Sequence, residues 1–248
     1  MLRRSFLGAT ALTAAGVALS TGGAQAAPRP DGRQRAPLPP SPAHSRGIQV
    51  ATEVVRGHRG AFPVLRTKEV HARGEHVLSV EYQVQETGWW CGPAATRIAL
   101  SARVAAPSQA TLAAELGTHQ GGTDHISQVT TVLNSRIDAG QYFTREMPDD
   151  PPTQAQVDLL RSDVVDDIDH NYPIVANIVA PPGNQPPGNQ PPGYPADQTV
   201  YHYFAVIGYD TDHNTVCIAD SASFNGWQIY WLNFSQLAGL IPPKGYTA

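Results

Sequence analysis

Two hydrophobic periods succeed one another along this chain. Between residues 91 and 168 apolar residues recur every three or four positions, as on helices that bury one face. A small-residue run from Cys91 to about Arg103 predicts the first helix. Gly92-Pro93 opens it, because the N–H that proline lacks has no intrahelical partner in the first turn. Pro107-Ser108 predicts a second helix with Ser108 as N-cap, Leu112 and Leu116 on one face, and Gly117 at its end. Residues His125 to Ile137 predict a third, with Ile126, Val129, Val132 and Leu133 at helical spacing. A fourth begins at Thr153, where Thr153 and Gln156 form a capping-box pattern. Its stripe is Val157, Leu160, Val164 and Ile168. Asp163, Asp166, Asp167 and Asp169 fall mostly off that stripe and read as a solvated face rather than a metal site.

Past residue 172 the period changes. Pro173 to Ala180 is a continuous, β-branched apolar run, the pattern of a buried strand. Thr199 to Tyr209, Thr215 to Ala219 and Trp227 to Leu232 predict further strands, with a hairpin turn over Asp210 to Asn214 joining the first two. Between the first two runs lies residues 181–195, PPGNQPPGNQPPGYP. It holds the unit PPGNQ twice and a broken third copy. Such a segment cannot pair as a central strand, so it reads as an exposed, partly polyproline loop grown by repeat expansion.

The first 79 residues follow neither pattern. Arg3 and Arg4, an apolar run from Ala9 to Leu19 and Ala24-Gln25-Ala26 read as an export signal over residues 1–26, with paired arginines of the twin-arginine type. The run is too short to span a bilayer. Residues 27–47 carry six prolines and four arginines without apolar period and read as a disordered linker. Residues 48–79 hold short β-rich pieces that read as an N-terminal arm, ahead of a domain over residues 80–248. A net charge of −4 gives no reason to expect nucleic acid or an acidic membrane as partner.

The chemistry concentrates around YQVQETGWWCGPAATRIALSAR, residues 82–103. Cys91 stands at a predicted helix start, where unpaired N–H groups and the helix dipole favour a thiolate. Gln85, six positions earlier, is near enough to aim an amide at the same place. Thiol and amide donor are half of an acyl-transfer site. A base and its orienting group come from the later strands: His202 lies on one, and Asp220 ends its partner. Each residue has a plainer reading, Cys91 as a disulfide half with Cys217, His202 as a core histidine, Asp220 as a turn residue. The constellation favours chemistry, in the order Cys…His…Asp of papain-type enzymes. Asp210 and Asn225 are the alternatives to Asp220. No His and Cys pair has metal-ligand spacing.

The stretches YQVQETGWWCGPAATRIAL, HYFAVIGYD and VCIAD resemble the double-glycine, bacteriocin-processing peptidase domain, family thirty-nine of the cysteine peptidases, in a secreted stand-alone form. The resemblance covers most of residues 80–245. It implies an α+β, papain-like fold, a helical lobe with the nucleophile at a helix N-terminus packed on an antiparallel sheet. It implies Cys91 as nucleophile, His202 as base, Asp220 as orienting carboxylate and Gln85 as oxyanion donor, with a peptide or protein substrate and no cofactor. Family members often carry Asp-Pro where this chain has Asp220-Ser221. No transporter accompanies the domain here, so double-glycine specificity does not transfer with the likeness. An amidase or acyltransferase with the same residues, and a catalytically silent secreted binding protein presenting Trp89, Trp90 and the proline loop, are the alternatives.

Overall fold

The structure is a computed structural model and describes residues 52–55, 63–137, 141–183 and 190–248. The export-signal and linker readings, and part of the PPGNQ repeat, lie outside the described residues.

The chain opens with β1 (Thr52–Val54), β2 (Leu65–Thr67), β3 (Val70–Ala72), β4 (Glu75–Val77) and β5 (Glu81–Tyr82). Four helices then follow around one short strand: α1 (Cys91–Leu100), α2 (Gln109–Leu116), α3 (Ile126–Arg136), β6 (Thr144–Glu146) and α4 (Gln154–Asp169). The rest is mainly sheet: β7 (Ile174–Ala180), β8 (Val200–Asp210), β9 (Thr215–Ala219), β10 (Ile229–Asn233), helix α5 (Phe234–Leu240) and β11 (Gly245–Thr247). Helices packed on antiparallel sheet make this the expected α+β architecture.

The helix boundaries follow from local chemistry. The Ser108 hydroxyl accepts the Thr111 N–H at 3.1 Å, and Gly117 closes α2 at φ 66°. Thr153 and Gln156 bond reciprocally at the start of α4. Residues β6, α5 and β11 were not foreseen; the strands among them are three residues long and carry too little pattern to announce themselves.

The main sheet runs β10-β9-β8-β7-β11-β6, all antiparallel among the described residues. β8 is its axis. β7 pairs along residues 200–206, β4 pairs with the same strand at Gly208–Asp210, and β9 takes the other edge. The arm expected over 48–79 is thus no mere attachment: β4 is hydrogen-bonded into the sheet, and Val77 and Leu78 are buried in the core. A larger core joins β7, β8 and β9 to Leu160, Val164 and Ile168 of α4 and to α5. A smaller one joins α1, α2 and α3 with Val175 and Tyr203. Helix α1 serves both, Ile98 in the larger and Ala95 and Ala99 in the smaller.

The acidic face of α4 differs from expectation. Asp163 accepts the Arg145 Nε–H at 3.1 Å and the Tyr246 hydroxyl at 2.8 Å, and Asp169 accepts the Tyr209 hydroxyl at 2.7 Å. Burial, with the charges of Asp163 and Asp166 beside it, pushes the Asp167 carboxyl up to about 7. These carboxylates tie the helix to strands as well as facing water. Among the described residues no group of three or more His, Cys, Asp and Glu stands together as for a metal.

Candidate active site

Cys91 is the first residue of α1. Its helix start is close-packed: Gly92 lies against the Thr123 side chain, and a Cβ on Gly92 would overlap that hydroxyl. Thr123 is itself fixed. Its hydroxyl bonds that of Thr118 at 2.7 Å, and its carbonyl accepts the Tyr203 hydroxyl at 3.1 Å. The 118–125 loop, β8 and the start of α1 therefore hold one another in place, and the glycine after Cys91 is the residue whose missing side chain permits it.

His202 is the third residue of β8, in register with Ile178 of β7. Its Nε2 stands 2.7 Å from Asp220 Oδ1, with the two residues 4% and 1% exposed. That leaves Nδ1 for another partner, and the Cys91 thiol lies near enough for His202 to lower its pKa. The three residues singled out in sequence, Cys91, His202 and Asp220, thus form one line of electrostatic interaction.

Electrostatics follows from that line. Burial works against a Cys91 thiolate, but the hydrogen bond and charge of His202, with the backbone N–H groups of Tyr203 and Gly92, hold the thiol below its ordinary value. Burial likewise opposes an imidazolium, yet Asp220 and Cys91 push His202 up to about 10. Burial raises the Asp220 carboxyl, and the charge of His202 with hydrogen bonds from His202, Tyr230 and Tyr194 more than offsets it. The arrangement favours thiolate, imidazolium and carboxylate together.

Cys217 is a different kind of cysteine. Both thiols are free, and no disulfide joins them. Cys217 is fully buried in β9, where burial and then the charge of Glu75 push its thiol up, away from reactivity.

Gln85 reaches the site from the Asp220 side. Its N–H donates to the Ser221 carbonyl at 2.9 Å, and its Oε1 accepts the Ser221 hydroxyl at 3.3 Å. Its Nε2 donates to the Thr87 carbonyl at 2.9 Å. Ser221, at the position where the likeness noted a departure from Asp-Pro, thus holds Gln85 through its own hydroxyl and carbonyl. Asp210, one alternative to Asp220, accepts from His213 in the hairpin turn; Asn225, the other, donates to the Gly193 carbonyl at 2.8 Å.

Three tyrosines were missed in the sequence. Tyr82 donates to the Asp220 carbonyl at 2.9 Å, and Tyr194 and Tyr230 both donate to Asp220 Oδ2 at 2.7 Å. Burial first, then the negative charge of Asp220, raises all three phenols, so each stays a donor. Tyr194 comes from the proline loop. That loop was expected to be exposed, but Gln190 and Tyr194 at its described end are buried. The signal was the break in the repeat, where Tyr replaces the Asn of PPGNQ.

A sequence profile described as the Peptidase_C39 like family matches residues 77–240. Among solved structures, the peptidase domain of Streptococcus ComA, described as a bi-functional ABC transporter involved in a quorum sensing pathway, is similar at 16% identity and a TM-score of 0.40. The match covers 66% of this chain and 93% of that one. A putative C39-like peptidase from Bacillus anthracis is similar at 11% identity and a TM-score of 0.46, covering 68% and 92%. No curated protein sequence matches the chain.

Proposed function

Since the chain belongs to the Peptidase_C39 like family, we propose that it is an active cysteine peptidase, hydrolysing peptide bonds through Cys91, His202 and Asp220. The observation that carries this reading is the buried imidazole of His202, bonded to Asp220 and acting on the Cys91 thiol so as to lower its pKa.

The Cys91 thiolate attacks the carbonyl carbon of the scissile bond and forms a C–S bond. Backbone N–H groups in the first turn of α1 and the amide of Gln85, once it leaves the Thr87 carbonyl, stabilise the oxyanion. The His202 imidazolium gives its proton to the departing amine as the C–N bond breaks, leaving a thioester. Neutral His202 then takes a proton from water, whose oxygen attacks the thioester. The C–S bond breaks, the acid product leaves, and thiolate and imidazolium are restored. Asp220 keeps Nε2–H engaged throughout, so Nδ1 stays aimed at the sulfur.

The test is Cys91→Ala. The mutant protein should keep its circular dichroism and melting curve while losing peptide turnover and labelling by an electrophilic thiol probe. Full peptide cleavage by a folded Cys91→Ala protein would remove the reading. Export belongs to the same proposal: residues 1–26 fused to a reporter should carry it out of the cell only while Arg3 and Arg4 are intact.

A further inference from the structure

We propose that Tyr194, delivered by the proline-rich insert, is a positioning residue of the catalytic centre. It fixes the Asp220 carboxylate and the His202 ring so that the imidazole stays aimed at Cys91. The proposal rests on the peptidase reading above and adds to it a part for the insert.

Asp220 has four donors on two oxygens. Oδ1 takes His202 Nε2 at 2.7 Å and the Ala222 N–H at 2.9 Å. Oδ2 takes Tyr194 and Tyr230, both at 2.7 Å. A carboxylate held at both ends cannot turn about its Cβ–Cγ bond, and its Oδ1 is committed to His202. Tyr230 is part of β10 and is placed by the sheet. Tyr194 has no strand to place it, and the insert supplies other means. Gln190 Nε2 clasps the two ends of the loop, donating to the carbonyls of Pro181 at 2.8 Å and Pro195 at 3.2 Å. The Gly183 N–H donates to the Ala196 carbonyl at 2.8 Å. Gly193, at φ 81°, lies so close to the Phe224 carbonyl that a Cβ would overlap it, and its own carbonyl accepts the Asn225 amide. These contacts leave Tyr194 3% exposed, its ring edge-on to Phe224 at 4.7 Å and to His202 at 6.2 Å. The phenol holds the carboxylate, and the ring walls the imidazole.

Tyr194→Phe in the full chain removes the hydroxyl and keeps the wall. Loss of one hydrogen bond to a charged group is expected to lower kcat about tenfold to a hundredfold with KM little changed. A purely structural role would not move the pH profile, whereas a loosened Asp220 would. The alkaline limb should shift down and the acid limb up, because His202 holds its proton less well and supports the thiolate less. Asn225→Asp gives a second route. It removes the donor to Gly193 while keeping a side chain suited to φ 50°, and should narrow the profile in the same sense by a smaller amount. If Tyr194→Phe folds and leaves kcat and both limbs unchanged, the proposal falls and the peptidase reading stands. If Tyr194→Phe does not fold, Asn225→Asp decides: a narrowed profile supports the proposal and an unchanged one overturns it. Should the wild-type chain cleave no peptide, the pH dependence of Cys91 alkylation by iodoacetamide still decides. A shift of its midpoint upward in Tyr194→Phe keeps the positioning role while the peptidase reading fails, and no shift overturns both.

Discussion

At the scale of single residues the proposed site is a row of three groups whose pKa values are each shifted toward the charged form by their neighbours. His202, buried, keeps its proton because Asp220 and the thiolate flank it, and Cys91 loses its own because His202 is charged. The pH dependence follows with a definite sign. On the proposed mechanism, as pH rises through about 10 the raised His202 loses the proton meant for the leaving amine, and kcat/KM should fall. As pH falls, activity persists until it passes the lowered Cys91 value, beneath the ordinary thiol range of about 8.5. A plot of kcat/KM against pH should therefore show a broad bell, its alkaline limb near 10; an alkaline limb near the free-imidazole value of about 6.5 would contradict the assignment. Asp220→Ala should pull both limbs inward and lower kcat. Asp220→Asn should be milder, because its oxygen still accepts from His202 and its amide can donate to the two phenols, which also accept. His202→Ala should be worst of the three. The double mutant His202→Ala with Asp220→Ala should be little slower than His202→Ala alone, since groups acting as a unit lose activity non-additively. Losses that multiply in kcat would make Asp220 independent of His202.

At the scale of elements, α1 is placed by what it lacks. Its small residues Ala94, Ala95 and Ala99 are buried, and Gly92 lets the 118–125 loop close on the helix start. The consequence is that Gly92→Ala, harmless to helix propensity, should be costly here. The added methyl must push Thr123 or the helix start away, an overpacking cost of about 1–3 kcal/mol. Denaturant unfolding should show that loss, and peptide turnover should fall with it because Cys91 shifts against His202. A Gly92→Ala protein as stable and active as wild type would mean that the loop yields freely. The repeat loop gives the opposite lesson about elements. Its described residues, 181–183 and 190–195, lie outside the sheet, and its described end nonetheless enters the site through one side chain, Tyr194.

At the scale of the whole molecule the arm and the domain are continuous. A boundary near residue 79 looks reasonable in sequence, because the segment before it is short-stranded and polar in places. In the fold β4 lines β8, and Val77, Leu78 and Val80 are all buried. Removing residues 1–79 should therefore strip β3 and β4 from beside β8 and expose core. The truncated chain is expected to aggregate or to melt without a cooperative transition, and a sharp melt near that of the full chain would restore the boundary at residue 79.

The helices and strands that carry the candidate site, and the residues proposed as its reacting groups, were legible in the sequence. Caps at Ser108 and Thr153, the buried run of β7 and the Gly-Pro start of α1 are local chemistry, decided by neighbours a few positions apart. Tertiary structure alone decided how His202 comes to face Asp220. Counting back from the hairpin turn pairs Asp210 with Thr215 and Gly208 with Cys217. Continued without interruption, that register would set Asp220 opposite Ala205, on the face away from His202. A bulge at Ile207 moves the register by one, so that Val206 pairs Ile218 and Ala205 pairs Ala219. Asp220 then shares the face of His202 and Phe204, two residues along, near enough to bond. The bulge adjoins Gly208, where a Cβ would come within 2.6 Å of the His76 carbonyl of β4. A one-residue slip that flips every side chain is thus set beside a contact between segments more than a hundred residues apart, which no local pattern in the sequence records.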